Sequence, residues 1–207
     1  VTTNTSNDMT RGSDPIVRQV AGVGSRETPE EIKPLFLDIF ECLTDDNYQL
    51  TSGDAQGPDE WAHEGAMRSS NYGLIGANIF LPWNGVRRHD GTYRYEDGKV
   101  FFDASKFENW ERAGEISLAA RGSWEGLGRG GIALHTRNAY QVLSRSLEKP
   151  VKQIVCWALP VGKKGNVRGG TNTAHRIGLT YNIPIINLAT EEGMQRAMDY
   201  LRRKGKR

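Results

Sequence analysis

The sequence predicts an α/β protein: a Rossmann-like parallel sheet flanked by helices, with an insertion after the third strand. Three observations predict it. Short β-rich runs alternate with stretches of helical period, the signature of right-handed βαβ units and a parallel sheet. Glycines and hydroxyls collect where a strand gives way to a helix, at Gly24-Ser25-Arg26, at Ser52-Gly53-Asp54-Ala55-Gln56-Gly57-Pro58-Asp59 and at Gly169-Gly170-Thr171-Asn172-Thr173. The 207 residues are long enough for one domain with a real core and require no second.

The first strand is expected over 16–23, a β-rich run closed by Gly24. A helix over 28–43 follows. Thr28 supplies a capping hydroxyl, Pro29 suits a first turn, and Glu30 and Glu31 favour the positive end of the helix dipole. Ile32, Leu35, Phe36, Ile39, Phe40 and Leu43 recur at three and four, so one face lies on the sheet. A strand over 48–51, a helix over 58–68 and a third strand over 77–82 continue the alternation.

The alternation pauses over about 84–131, where Gly, charge and aromatics dominate. There Tyr93-Arg94-Tyr95 and Lys99-Val100-Phe101-Phe102 flank Asp97-Gly98 as the arms of a hairpin would. An ordered insertion of this length serves as a lid or binding segment, or equally as a contact between copies in a homo-oligomer. A helix over 134–147, a strand over 153–158, a helix over 171–181, a strand over 183–188 and a last helix over 191–203 complete the plan. Residues 1–15, rich in Ser, Thr and Asn, read as a flexible arm, and 16–207 as one domain ending in a basic tail, Arg202-Arg203-Lys204-Gly205-Lys206-Arg207.

Composition narrows the function. Lys and Arg number 27 against 25 Asp and Glu, a net charge of +2, so the molecule as a whole is no polycation. Cys42 and Cys156 have neither metal-ligand spacing nor a disulfide framework and read as core. His63, His89, His135 and His175 lack the pairing of a zinc site, so no metal is expected beyond a Mg²⁺ that arrives with a phosphate ligand. No run approaches the roughly 18 apolar residues of a membrane span, and the polar start lacks the apolar segment of a signal peptide. A cytoplasmic protein with no membrane partner is expected.

The glycine and hydroxyl motifs carry chemistry. Without side chains in the way, backbone N–H groups and a helix N-terminus can face an anion. Several such loops on one parallel sheet converge on the edge where open sheets bind ligands, and nucleotides are the commonest phosphate ligands there. After the first strand, Gly22-Val23-Gly24-Ser25-Arg26-Glu27 lacks the Gly-x-Gly-x-x-Gly dinucleotide fingerprint. The Gly-Lys-Ser/Thr of ATPase phosphate loops is also missing. Ordinary dehydrogenases and ATPases are therefore disfavoured.

These residues resemble a known superfamily. Gly24-Ser25-Arg26, followed by Thr51-Ser52-Gly53-Asp54-Ala55-Gln56-Gly57-Pro58-Asp59 and Ala62-His63-Glu64-Gly65-Ala66, is similar to the motifs of the SLOG superfamily. That group unites the DNA-processing protein A (DprA, or Smf) family, the YpsA-related proteins and the "lonely guy" phosphoribohydrolases. Arg137-Asn138-Ala139-Tyr140, Val155-Cys156-Trp157, Gly169-Gly170-Thr171-Asn172-Thr173-Ala174 and Ile183-Pro184-Ile185-Ile186-Asn187-Leu188 resemble mostly uncharacterised members from phages and mobile elements. The resemblance implies a Rossmann-like fold binding a nucleotide, a nucleotide-derived signal or single-stranded DNA. It departs from the phosphoribohydrolase pattern, because Ala174 stands where that branch places its acid/base Glu.

Residue by residue, Arg26 can fork onto a phosphate or pair with Glu30. Ser52, Gly53, Gln56 and Gly57 line a loop that presents N–H groups and a hydroxyl, or simply makes a tight turn. Asp59 caps the second helix, accepts ribose hydroxyls or acts as a base, and Glu64 is the other candidate acid. His63, four residues after Asp59, either shares its proton or packs in the core. Arg137 and Asn138, with His135, are read as opening the helix after the insertion, suited to phosphate or to capping. Trp157 either stacks on a base or packs. Gly169, Gly170, Thr171 and Thr173 are the strongest phosphate candidates, their alternative being simple capping.

Three functions fit: a carrier or sensor that binds a nucleotide without turnover, an N-glycosidic hydrolase of nucleotides using Asp59 or Glu64, and a DprA-like binder of single-stranded DNA using Arg26, Arg168 and the basic tail. The first is favoured.

Overall fold

The computed structural model describes residues 17–162 and 165–206. The expected arm at 1–15, the first residue of the first predicted strand and Arg207 lie outside the described residues. In chain order the elements are β1 (Arg18–Gly24), α1 (Lys33–Asp45), β2 (Tyr48–Ser52), α2 (Pro58–Arg68), the one-turn α3 (Tyr72–Ile75), β3 (Ala77–Leu81), β4 (Val86–Arg87), β5 (Tyr93–Arg94) and β6 (Phe101–Asp103). There follow α4 (Trp110–Arg121), α5 (Arg129–Leu143), β7 (Gln153–Trp157), β8 (Pro160–Val161), β9 (Asn166–Val167), α6 (Thr171–Thr180), β10 (Ile185–Asn187) and α7 (Glu191–Arg203).

Six strands form one parallel sheet in the order β10-β7-β1-β2-β3-β6. The Rossmann-like plan expected from the alternation is the plan observed. Side chains on a strand alternate between faces, and the two apolar layers obey that rule. On one face Val20, Leu50, Val155 and Trp157 meet Phe36, Ile39, Phe40, Leu43, Ala62, Ala197 and Leu201 from α1, α2 and α7. On the other, Ala21, Val23, Ile154 and Cys156 meet Ala113, Ala139, Tyr140, Ala174 and Ile177 from α4, α5 and α6. Both cysteines are buried and free. No helix among the described residues is long and apolar enough to cross a membrane.

The stretch 84–131 departs from the sequence expectation: it contributes the helix α4, whose Ala113 joins the core, and the sheet strand β6, and its hairpin lies elsewhere. The hairpin is built from β4 and β5, with Val86 opposite Arg94 and Arg87 opposite Tyr93, so its turn lies at Arg88–Gly91 and not at Asp97-Gly98. The Asp97 carboxylate instead accepts the N–H groups of Lys99, Val100 and Phe101 at 2.8, 2.8 and 2.9 Å, turning the chain into β6. β6 then pairs parallel with β3 as the edge of the main sheet. Its two phenylalanines serve both layers, Phe101 one and Phe102 the other.

The helix expected over 134–147 is α5, which begins at Arg129 and ends at Leu143. Gly128, Gly130 and Gly131 hide its start, because glycine has weak helix propensity and no apolar side chain to mark the period. Arg137 and Asn138 are consequently in mid-helix and do not open it. The basic tail does not float free. Lys204 pairs with Asp46, and Lys206 with Glu41 at 3.0 Å, on α1 and the turn after it.

Helix α1 packs on α2 at a glycine. A Cβ on Gly65 would lie 2.6 Å from the Leu37 carbonyl oxygen, a backbone atom that cannot swing aside. Gly65→Ala is therefore expected to cost about 1–3 kcal/mol although alanine is the better helix former. Gly73→Ala, with nothing within 4 Å, should stay within about 0.5 kcal/mol of the parent or gain stability. Denaturant unfolding of both variants checks the pair, and equal midpoints would contradict the packing account.

Candidate functional site

The sheet order places a topological switch between β1 and β7. The chain walks outward from β1 through β2 and β3 to β6, then returns across α5 to lay β7 on the opposite side of β1. Helices α1 and α6 leave the carboxyl ends of β1 and β7 toward opposite faces of the sheet, the arrangement at which open α/β sheets form a ligand crevice. The Ser25 N–H donates to the Trp157 carbonyl at 3.0 Å, tying the two strand ends together. Gly24-Ser25-Arg26 forms one wall and the start of α6 the other. Arg168 Nε and Glu27 Oε2, 3.6 Å apart, span the gap between them.

At the α6 wall, Gly169 takes a φ of 79°, a conformation that glycine adopts freely, and the first helical turn carries no acid. The loop before it is tied down because Asn172 Oδ1 accepts the Val167 N–H at 3.0 Å. Two α5 side chains brace the turn: Asn138 Nδ2 donates to the Gly170 carbonyl at 3.3 Å, and His135 Nδ1 lies 2.8 Å from Thr173 Oγ1. Burial and the nearby Arg121 and Arg137 push the His135 imidazole down to about 4, so it is neutral near pH 7. The braced turn leaves a positive helix end that suits an anion.

The second motif is organised differently. Asp59, in the first turn of α2, is 3% exposed. Its Oδ1 accepts the Gly24 N–H at 3.2 Å, its Oδ2 accepts from Gln141 Nε2 at 3.1 Å, and Arg137 Nη1 stands 3.5 Å from that same oxygen. Burial outweighs these partners and pushes the carboxyl up to about 6. The Arg137 guanidinium lies against the loop at Gly53. A Cβ on Gly53 would stand 1.6 Å from Nη1, so any larger residue there would displace the guanidinium. Arg137 Nε is buried without a hydrogen-bond partner, and burial draws the guanidinium down from its ordinary value.

Other expected residues fall into place around this pair. Ser52 Oγ donates to the Gly22 carbonyl at 2.6 Å inside the sheet, so its hydroxyl is spoken for. Gly57, with φ of 91°, caps α2, while Gln56 and Arg26 are exposed at the mouth. Trp157 packs in the apolar layer, 7% exposed. His63 makes no bond to Asp59. Its Nε2 lies 2.7 Å from Tyr72 Oη and its ring stands edge-on to Phe101, which places it in the core. Glu64 leaves the other side of α2 and pairs with Lys33 at 2.9 Å and Arg68 at 3.3 Å, which hold its carboxyl below the usual range.

Sequence reasoning missed a cluster that frames the crevice. Asp54, at φ 57°, is gripped by Arg94 Nε at 2.9 Å and Arg88 Nε at 3.3 Å, and Arg88 also pairs with Glu60. The β4–β5 hairpin is thereby pinned on the β2–α2 loop. The only signal in the sequence was the alternation of arginines in Arg87-Arg88 and Tyr93-Arg94. Two cavities of about 350 and 360 Å³ lie elsewhere, between α1 and α7 and between α4 and α6, and none of the candidate ligand-binding or catalytic residues lines either. Among the described residues no group of three or more His, Cys, Asp or Glu could hold a metal ion.

No protein-family model and no curated protein matches the chain. Solved structures do resemble it. The Moco carrier protein of Chlamydomonas rheinhardtii has a TM-score of 0.45 at 15% identity, covering 90% of this chain and 85% of that one. DNA processing protein A of Helicobacter pylori, described for its single-stranded DNA binding mode, has a TM-score of 0.38 at 14% identity, covering 90% and 81%. Neither likeness is close enough to say what this chain binds.

The raised carboxyl gives a test. Its unfolded value is near 3.8 and its folded value about 6, so its favourable contribution is intact below the first and lost as pH rises to the second. Wild type measured against Asp59→Asn should therefore lose on the order of 1–3 kcal/mol of relative stability across that window, then level off. A difference that is flat or rises with pH would contradict the assignment. Arg137→Leu, which strands Asp59, should cost about 3–5 kcal/mol at neutral pH in the same unfolding assay.

Proposed function

We propose that this chain is a SLOG-type protein that binds a nucleotide or nucleotide-derived ligand in the crevice between β1 and β7, with the ligand's phosphate on the first turn of α6. The observation that carries this is an electrostatic contrast at the sheet edge. The first turn of α2 is already taken by the carboxylates of Asp59 and Glu60, paired with Arg137 and Arg88, whereas the first turn of α6 holds no acid and follows Gly169-Gly170. Arg26 and Arg168 supply exposed positive charge at the mouth, Arg168 beside Glu27.

Binding without turnover suits the geometry better than hydrolysis. Of the two candidate acids, Asp59 and Glu64, Asp59 is the one at the crevice, and the Gly24, Gln141 and Arg137 contacts occupy both its oxygens. A hydrolase reading keeps one observation, a carboxyl poised at about 6, a value suited to exchanging protons near neutral pH. The DNA-binding reading is less well supported at the tail, where Lys204 and Lys206 pair with acids of α1 and its following turn.

The purified protein, incubated with the four common ribonucleoside monophosphates and examined by native and then denaturing mass spectrometry, should retain an unchanged nucleotide. Arg26→Ala should weaken retention about 10-fold without unfolding the protein. Released base that disappears in Asp59→Asn would transfer the assignment to the hydrolase, and no retention with salt-sensitive binding to single-stranded DNA would transfer it to that partner.

A further inference from the structure

The link between α4 and α5, with the first turn of α5, carries the sequence Gly122-Ser123-Trp124-Glu125-Gly126-Leu127-Gly128-Arg129-Gly130-Gly131. Gly122 and Gly126 take φ of 96° and 76°, and a Cβ on either, or on Gly128, would meet nothing within 4 Å. Ordering a glycine-rich segment in open space is entropically costly, so something must hold it. The one large ring in the link is Trp124, which is half-buried. Its centroid lies 6.2 Å from that of His135, at a tilt of 42°.

His135 connects this ring to the crevice. Its Nδ1 meets Thr173 Oγ1 at 2.8 Å, and its Cε1 stands 4.0 Å from where a Cβ of Gly170 would be. The imidazole therefore rests on the same first turn of α6 that receives the phosphate in the reading above. Arg121, the last residue of α4, has its Nε buried without a hydrogen-bond partner and exerts its charge on His135. A second indole, Trp83, approaches the start of α5 at Gly130, where a Cβ would lie 3.6 Å from its ring. Partly exposed rings beside a phosphate-suited helix end offer a shelf for a flat aromatic group, since every nucleobase has a π-face to stack.

We infer that Trp124 and His135 are the base-binding residues of the site, forming the shelf on which the base of a nucleotide stacks while its phosphate occupies the start of α6. The inference rests on the proposed crevice and adds to it the base and the side on which that base lies. Trp124 touches the ring of the ligand. His135, fixed by Thr173, is both platform and spacer between base and phosphate.

Titration calorimetry with ribonucleoside monophosphates and with ribose 5-phosphate tests this on wild type, Trp124→Ala and Trp124→Phe. Trp124→Ala should lose at least about 5-fold in affinity for the nucleotides and leave ribose 5-phosphate within about 2-fold, and Trp124→Phe should recover most of the loss. Unchanged nucleotide affinity in Trp124→Ala would overturn the inference while leaving the crevice reading intact. Equal losses for both ligands would also overturn it, since Trp124 would then shape the phosphate site and not the base shelf. Wild-type protein that binds neither ligand would remove the crevice reading itself.

Discussion

One buried ion pair organises the edge of the sheet on which the proposed function depends. Asp59 on α2 and Arg137 on α5 come from opposite faces of the sheet and meet at the ends of β1 and β2. The carboxylate receives the Gly24 N–H, so the first motif is held by the second. The guanidinium fills the space over Gly53, so the second motif is shaped by α5. Charge burial of this kind is costly, and the raised carboxyl and lowered guanidinium express that cost on both partners. Removing either partner leaves the other uncompensated beneath the crevice.

Around this pair the sheet edge divides by charge. Toward β2 and β3 the loop carries Asp54, Asp59 and Glu60, all engaged by arginines: Asp59 by Arg137, and the other two by Arg88 and Arg94 of the β4–β5 arch. Toward β7 the loop before α6 carries glycines and hydroxyls and no acid. The arch completes the acidic side by holding Asp54 in a left-handed conformation that a non-glycine residue adopts at some cost. At the switch point the helix start left without an acid is therefore that of α6.

Much of the fold was legible in the sequence, because periodicity reports on burial directly. Phe36, Ile39, Phe40 and Leu43 announced the face of α1 that lies on the sheet, and the motif loops fall at strand ends as their glycines suggested. What escaped notice was long-range. That Arg137 would seek Asp59 depends on a crossover that brings α5 over β2, which no local pattern encodes. Ser52 read as a ligand donor because a hydroxyl after a strand is ambiguous until its acceptor, the Gly22 carbonyl, is known. Asp97-Gly98 has the composition of a tight turn and so suggests a hairpin arm at β6, while Asp97 spends its carboxylate on three N–H groups that lead the chain away. Trp124 and Asp54 gave no signal alone, since a lone aromatic or acid in a polar segment is most often surface.

The account stands or falls on where the phosphate rests. Amide ¹H–¹⁵N spectra titrated with the four common ribonucleoside monophosphates would locate it directly. The expected result is a set of shifts centred on Gly169, Gly170, Thr171 and Thr173, extending to Ser25 and Arg26 across the β1–β7 join. Shifts confined to the cavity between α1 and α7, around Tyr48, Gln153 and Tyr200, would contradict it, as would spectra that do not change at all.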